Sequence, residues 1–219
     1  KKIKAYIGRD SEINAFCLYD GTMIVNVGLL AEIRSEAALA SVMGHELAHY
    51  MKNHILNRIK NGEKKDKKKK TIQEKILNIA GFSQDNELEA DMVGFGLAKA
   101  ANYDLEEAKS TFELFIREKA YYNKRYNSTL ANTDTLTINT KSGSMKVNTL
   151  LKLLDSHPDD KERLEKLSAY IKSNPQTKKV KFKSDEDFFY ALQSQARLEC
   201  VSLLFDKNYY DECLERAFI

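Results

Sequence analysis

Hydrophobic and polar positions alternate over the first thirty residues and then change period. Lys2 to Ile7 and Ile13 to Leu18 have the pattern of short strands, Asp20-Gly21 is a turn signal, and Thr22 to Val27 reads as the returning strand. That order predicts a small N-terminal antiparallel sheet. Ser35 then offers an N-cap with Glu36 in the first turn, and from there to about Arg58 strong helix formers run without proline, interrupted by Gly44. A second helix is expected from about Thr71 to Ala80, separated by Gly81-Phe82-Ser83 from a third over Gln84 to Ala101. Asp104 with Glu107 forms a capping-box pattern for a fourth helix reaching about Tyr122.

Between Asn123 and Asn148 the chain becomes rich in Thr, Ser and Asn. Leu136/Ile138 and Met145/Val147 alternate on either side of Ser142-Gly143, which predicts a β-hairpin or flexible flap. Ser156 before Pro158 opens another helix to about Ser173, because proline fits the first turn and Asp159 and Asp160 favour its positive end. Asp185 to Phe205 and Tyr209 to Phe218 read as two antiparallel helices. This pair resembles the start of a helical-repeat module but is too short to establish one. The sum is an α+β, mostly helical chain, with a main domain over residues 1–175 and a helical extension over 176–219 that is a candidate surface for protein partners.

Composition narrows the setting. The 219 residues suffice for one substantial core, the hydrophobic fraction of 42% is that of a globular protein, and no apolar run approaches the roughly 18 residues of a membrane helix. No membrane-spanning segment is therefore expected within this chain. It opens on Lys1-Lys2-Ile3-Lys4 without an initiator Met, as a processed or trimmed chain would. The net charge of +3 is partly concentrated in Lys64 to Lys70, where no aromatics or glycines interleave. A solvated loop is the preferred reading over a patch for nucleic acid or anionic membrane, and no nucleic acid partner is expected. Cys17, Cys200 and Cys213 lack CxxC spacing and are odd in number, so they form neither a disulfide framework nor a thiolate metal site; at most Cys200 bridges Cys213.

The chemistry is concentrated in His45-Glu46-Leu47-Ala48-His49. Residues four apart on a helix lie on one face, so both imidazoles can reach a single cation. Glu46 is turned about 100° around the helix, outside the ligand shell but able to take a proton from a water on the metal. Zinc brings the pKa of such a water toward ~7 and polarises a scissile carbonyl. A catalytic zinc needs a third protein ligand, and Asn86-Glu87-Leu88-Glu89-Ala90-Asp91 offers one. Glu87 and Asp91 share a helix face, Glu87 as ligand and Asp91 as acceptor for the second ring N–H of a ligand histidine, while Glu89 points elsewhere. On its own, the same stretch reads more readily as an acidic first helical turn, and the HExxH helix upstream reverses that preference.

Together, the HExxH helix with His54, the downstream Glu87-x-x-x-Asp91, and Ser156-His157-Pro158 with Arg163 resemble the gluzincin peptidases of the HtpX, BepA and CaaX-prenyl-protease type. So do Asn14-Ala15-Phe16 and the stretch Met23 to Leu30. The resemblance covers about Ile3 to Leu167. It implies a zincin fold, an endopeptidase with one zinc held by His45, His49 and Glu87, and Glu46 as general base and then acid. It also implies an edge strand at Asn14, Ala15 and Phe16 that holds a protein or peptide substrate in extended form. By the same resemblance, His157 and Arg163 lie by the metal as oxyanion-stabilising groups, or His157 caps the zinc at rest; simple helix capping is the alternative for both. His54 reads as structural.

The stretch between the two ligand motifs contains the lysine run in place of the membrane helices of some relatives, so prenylated substrates are not expected. A periplasmic or secreted, cell-envelope location is expected. The competing functional reading is a zinc-bound but catalytically silent assembly factor of the cell envelope.

Overall fold

Three short strands open the chain: β1 (Lys4–Gly8), β2 (Ala15–Cys17) and β3 (Thr22–Asn26). The structure, a computed structural model, describes residues 2–54, 56–57, 72–130, 137–140, 143–146 and 160–217. The strand order is β1-β3-β2, with β2 antiparallel to β3 and β1 parallel to it. The sheet is therefore mixed, not antiparallel throughout as expected. Asp20 explains the hairpin half, accepting from the amide and hydroxyl of Thr22 to close the turn. The parallel half follows from the 9–14 loop, which carries the chain past the end of β3: Asp10 O accepts from Gly28 N at 2.9 Å and Asn14 O from Asn26 N at 3.0 Å. Gly28 permits the crossing, since a Cβ there would stand 2.1 Å from Ser11 O.

The sheet passes directly into α1 (Val27–Glu32), and after a short link α2 (Glu36–Met51) carries the HExxH residues. Ser35 is its N-cap, its hydroxyl accepting from Ala38 N at 3.1 Å. The helix ends seven residues before the expected Arg58. Asn53 adopts φ 55°, in the left-handed region that Asn tolerates better than most residues, and the chain turns there. Helix α3 (Ile72–Ala100) is continuous through Gly81-Phe82-Ser83, where a break was expected. An interior glycine costs a helix only about 1 kcal/mol, which a long run of helix formers offsets.

Asp104 caps a 3-10 turn (Leu105–Glu107), accepting from Glu106 N, and α4 (Ala108–Leu130) follows, running eight residues beyond its expected end. Glu107 does not complete the capping box but pairs with Lys181 at 2.7 Å. β4 (Thr137–Thr140) and β5 (Gly143–Lys146) form the antiparallel hairpin that the Thr/Ser-rich stretch predicts, with Ile138 opposite Met145. α5 (Asp160–Ser173), α6 (Glu186–Asp206) and α7 (Tyr210–Ala217) complete the α+β, mostly helical fold. Among the described residues no helix is long and apolar enough to cross a membrane.

Three apolar clusters hold these layers together. Val25, Leu29, Ile33, Ala38, Val42 and Leu114 join the sheet to α1, α2 and α4. Phe95, Leu105, Phe112 and Leu167 join α3, α4 and α5. Val27 and Ala31 of α1 meet Ala196, Cys200 and Leu204 of α6. The outer faces of α6 and α7 leave Leu198, Phe205 and Leu214 exposed. All three cysteines are free thiols: Cys200 lies by Ser11 O and Arg216, and Cys213 donates to Val201 O, so the one bridge the sequence left open, Cys200 to Cys213, is not formed.

Candidate metal centre

The site lies where α2 crosses α3, and two glycines set the distance between them. A Cβ on Gly94 would lie 2.7 Å from His45 N and 3.0 Å from Gly44 C, and one on Gly44 would lie 2.9 Å from Gly94 O. Both contacts are with backbone, which cannot swing aside. The helices thus meet main chain to main chain, one residue from His45, and this brings Glu87 and Asp91 within reach of α2.

Glu87 places Oε2 3.3 Å from His45 Nε2 and Oε1 3.4 Å from His49 Nε2, and the two Nε2 atoms face each other at 3.0 Å. One ligand atom from each of His45, His49 and Glu87 can be chosen so that all lie within 4.8 Å of one another. His45 Nδ1–H donates to Asp91 Oδ1 at 2.8 Å, so Nε2 is the atom left for a metal. The inward-facing donors are thus two imidazole nitrogens and a carboxylate, the set a catalytic zinc takes. Burial alone would lower the pKa of His45, but its bonds to Asp91 and Glu87 outweigh this and raise it to about 9. His49 is pushed down to about 4 by burial and by the charge of His45. A cation entering between the rings would compete with the proton that Asp91 and Glu87 favour on His45.

Arg163 anchors Asp91 with two bonds, Nε to Oδ2 at 2.8 Å and Nη2 to Oδ1 at 2.7 Å, and its Nη1 reaches Asp160 at 3.3 Å. Burial would raise the carboxyl pKa of Asp91, but Arg163 and His45 hold it below the usual range. The guanidinium also stacks over Phe112, 5.0 Å from the ring centroid. His54 lies on the other side of His49, with Nδ1 atoms 3.1 Å apart, and its Nε2 is 3.1 Å from Glu89 Oε2.

A cleft of about 560 Å³ opens onto this group. Glu46, His45, Glu87 and Arg163 line it, as do Ala15 of the edge strand β2 and Asn14 just before it. Phe16 is not among the lining residues and is partly exposed, as strand alternation requires when Ala15 and Cys17 face inward. His157, with Ser156 and Pro158, and the Lys64–Lys70 run lie outside the described residues. Sequence reasoning missed the apolar wall formed by Ile13, Phe95, Phe112 and Phe115, although Phe112 and Phe115 sit three apart on α4. It also missed the task of Gly94, whose signal was a Gly-Phe-Gly inside a helix.

The model of peptidase family M48 matches residues 1–64 and 70–171. The mitochondrial metalloendopeptidase OMA1 of Arabidopsis thaliana is 31% identical over 112 residues, covering 46% of this chain and 23% of that protein. The matched part of this chain thus corresponds to about a quarter of the relative's length. A relative named as mitochondrial overturns the expected periplasmic or secreted, cell-envelope location, which rested on motif resemblance alone. The family match runs from the mixed sheet through the crossing helices to the end of the helix bearing Arg163, and so this chain belongs to peptidase family M48.

Proposed function

We propose that this chain is a zinc-dependent endopeptidase that hydrolyses peptide bonds in extended protein or peptide segments, with one zinc held by His45, His49 and Glu87. The observation that carries this reading is the convergence of two imidazole Nε2 atoms and a buried carboxylate within 4.8 Å, beside a cleft bordered by an edge strand. The family membership supports it. Within the family, the motif order favours the HtpX and BepA type over the prenyl proteases.

Bound zinc would supply Lewis-acid polarisation of the scissile carbonyl and of the attacking water. Glu46, one residue beyond His45 and lining the same cleft, takes the proton from that water and passes it to the leaving amine. The outer edge of β2 at Ala15 pairs with the substrate backbone and sets the carbonyl before Glu46. Phe95, Phe112 and Phe115 offer an apolar wall for a substrate side chain. Arg163 acts through Asp91, to which its Nε and Nη2 donate while Nη1 reaches Asp160.

Zinc content and cleavage of an unfolded casein-type substrate, compared between wild type and Glu46→Gln, test the proposal. Zinc at about one per chain in both proteins, with cleavage by wild type alone, is the expected result. Zinc without cleavage in either would favour a silent scaffold, and wild type without zinc would remove the reading altogether.

A further inference from the structure

His54 lies five residues beyond His49, and on a straight helix that spacing would place it about 140° around the axis, out of reach. The left-handed Asn53 changes this. With φ 55° it turns the chain at the end of α2 and folds His54 back, bringing the two rings edge to face with centroids 4.9 Å apart. His54 is only 6% exposed, so its ring nitrogens need partners inside the protein. It has two: Nδ1 faces His49 Nδ1 at 3.1 Å and Nε2 faces Glu89 Oε2 at 3.1 Å.

The proton positions then follow from one fact. If His49 meets the metal through Nε2, as its approach to Glu87 and His45 implies, its Nδ1 carries the hydrogen. That N–H can donate only to a His54 Nδ1 that bears a lone pair, so the His54 hydrogen sits on Nε2, where Glu89 accepts it. Glu89 is itself held by Lys52 Nζ at 2.6 Å. Each bond has one donor and one acceptor, and no other arrangement satisfies all three groups.

We propose that His54, oriented by Glu89, is a positioning residue that fixes the tautomer and ring plane of His49 for metal binding. The two ligand histidines are then buttressed unequally. His45 is held directly by a carboxylate, Asp91, buried and clamped by Arg163. His49 is held by a neutral imidazole, and the carboxylate behind it is 46% exposed on its side chain, so its charge is screened. His49 is therefore the weaker and more easily released ligand of the pair.

The inference rests on the metal site proposed above, and metal affinity tests the two separately. Zinc dissociation constants by chelator competition, and the visible spectrum of the cobalt-substituted protein, would be measured for wild type, His54→Phe, His54→Asn and Glu89→Gln. His54→Phe keeps an aromatic ring but no acceptor, and a loss of about 10- to 100-fold in zinc affinity with altered cobalt bands is expected. His54→Asn places an oxygen near the former Nδ1 and should retain most of the affinity and the cobalt spectrum. Glu89→Gln should give a smaller loss than His54→Phe. Wild-type affinity in His54→Phe overturns the proposal, as do equal losses in the Phe and Asn variants, which would make the contact mere packing. Should His54→Phe not fold, unchanged affinity and spectrum in Glu89→Gln, at an exposed carboxylate, overturn it instead. A wild type that binds neither zinc nor cobalt defeats the metal-site reading itself.

Discussion

Asp91 serves two masters within one small volume: one oxygen accepts from His45, and both are gripped by Arg163. Asp91→Asn keeps the shape but loses the charge that makes His45 a good ligand. Zinc affinity should fall about 10- to 100-fold, as read by chelator competition. Arg163→Met would leave buried Asp91 without its guanidinium. Breaking such a pair costs about 3–5 kcal/mol, measurable by urea unfolding of the metal-free protein. At this scale the sequence was legible where spacing fixes geometry: His45, His49, Glu87 and Asp91 each pair at four residues, and a helix puts them on one face. It was not legible for His54, because its contact depends on one left-handed residue, Asn53, that no periodicity announces.

Between elements, the decisive contact is that of Gly44 with Gly94. Gly94→Ala would push a methyl into the backbone of α2 at His45, so the helices must part or bend. A loss of about 1–3 kcal/mol in urea unfolding, together with weakened zinc binding, is expected. The sequence showed both helices but not their crossing, since two glycines fifty positions apart carry no local pattern. The same limit explains the sheet. The Asp20-Gly21 hairpin was readable from neighbours in sequence, whereas the parallel pairing of β1 with β3 depends on Gly28 accepting the 9–14 loop.

Over the whole molecule, the segment after the family match is woven into the part before it. Glu36, in the first turn of α2, accepts from the amides of Lys183 and Ser184, from Ser184 Oγ and from Tyr103 Oη. Burial would raise the Glu36 pKa, but these bonds outweigh it and hold the carboxyl below its usual 4.5. A depressed folded pKa means stability present above the unfolded value and lost as pH falls through the folded one. Wild type should therefore lose more thermal stability than Glu36→Gln between about pH 5 and pH 3, as melting curves at matched salt would show. Likewise, Leu204 of α6 is 1% exposed against Val27 and Ala31. Leu204→Ala should cost about 2–5 kcal/mol and lower the urea midpoint of the whole chain, not of the C-terminal helices alone. The separation of residues 176–219 proposed from sequence saw their helices but not these bonds, because backbone amides leave no trace in side-chain pattern.

The shortness of β2 has a consequence of its own. Only Ala15 to Cys17 form the strand, so a guest chain laid along its open side could match a rung or two of hydrogen bonds and little more. Such a grip reads main chain, which every polypeptide shares, and asks only that the main chain be unspoken for. Native proteins have already committed their backbones to their own sheets and helices, and so would pass by untouched. On the proposed reading, what such a cleft would select is a condition of the client rather than a kind: a loosened or unfinished stretch, held briefly, cut, and let go.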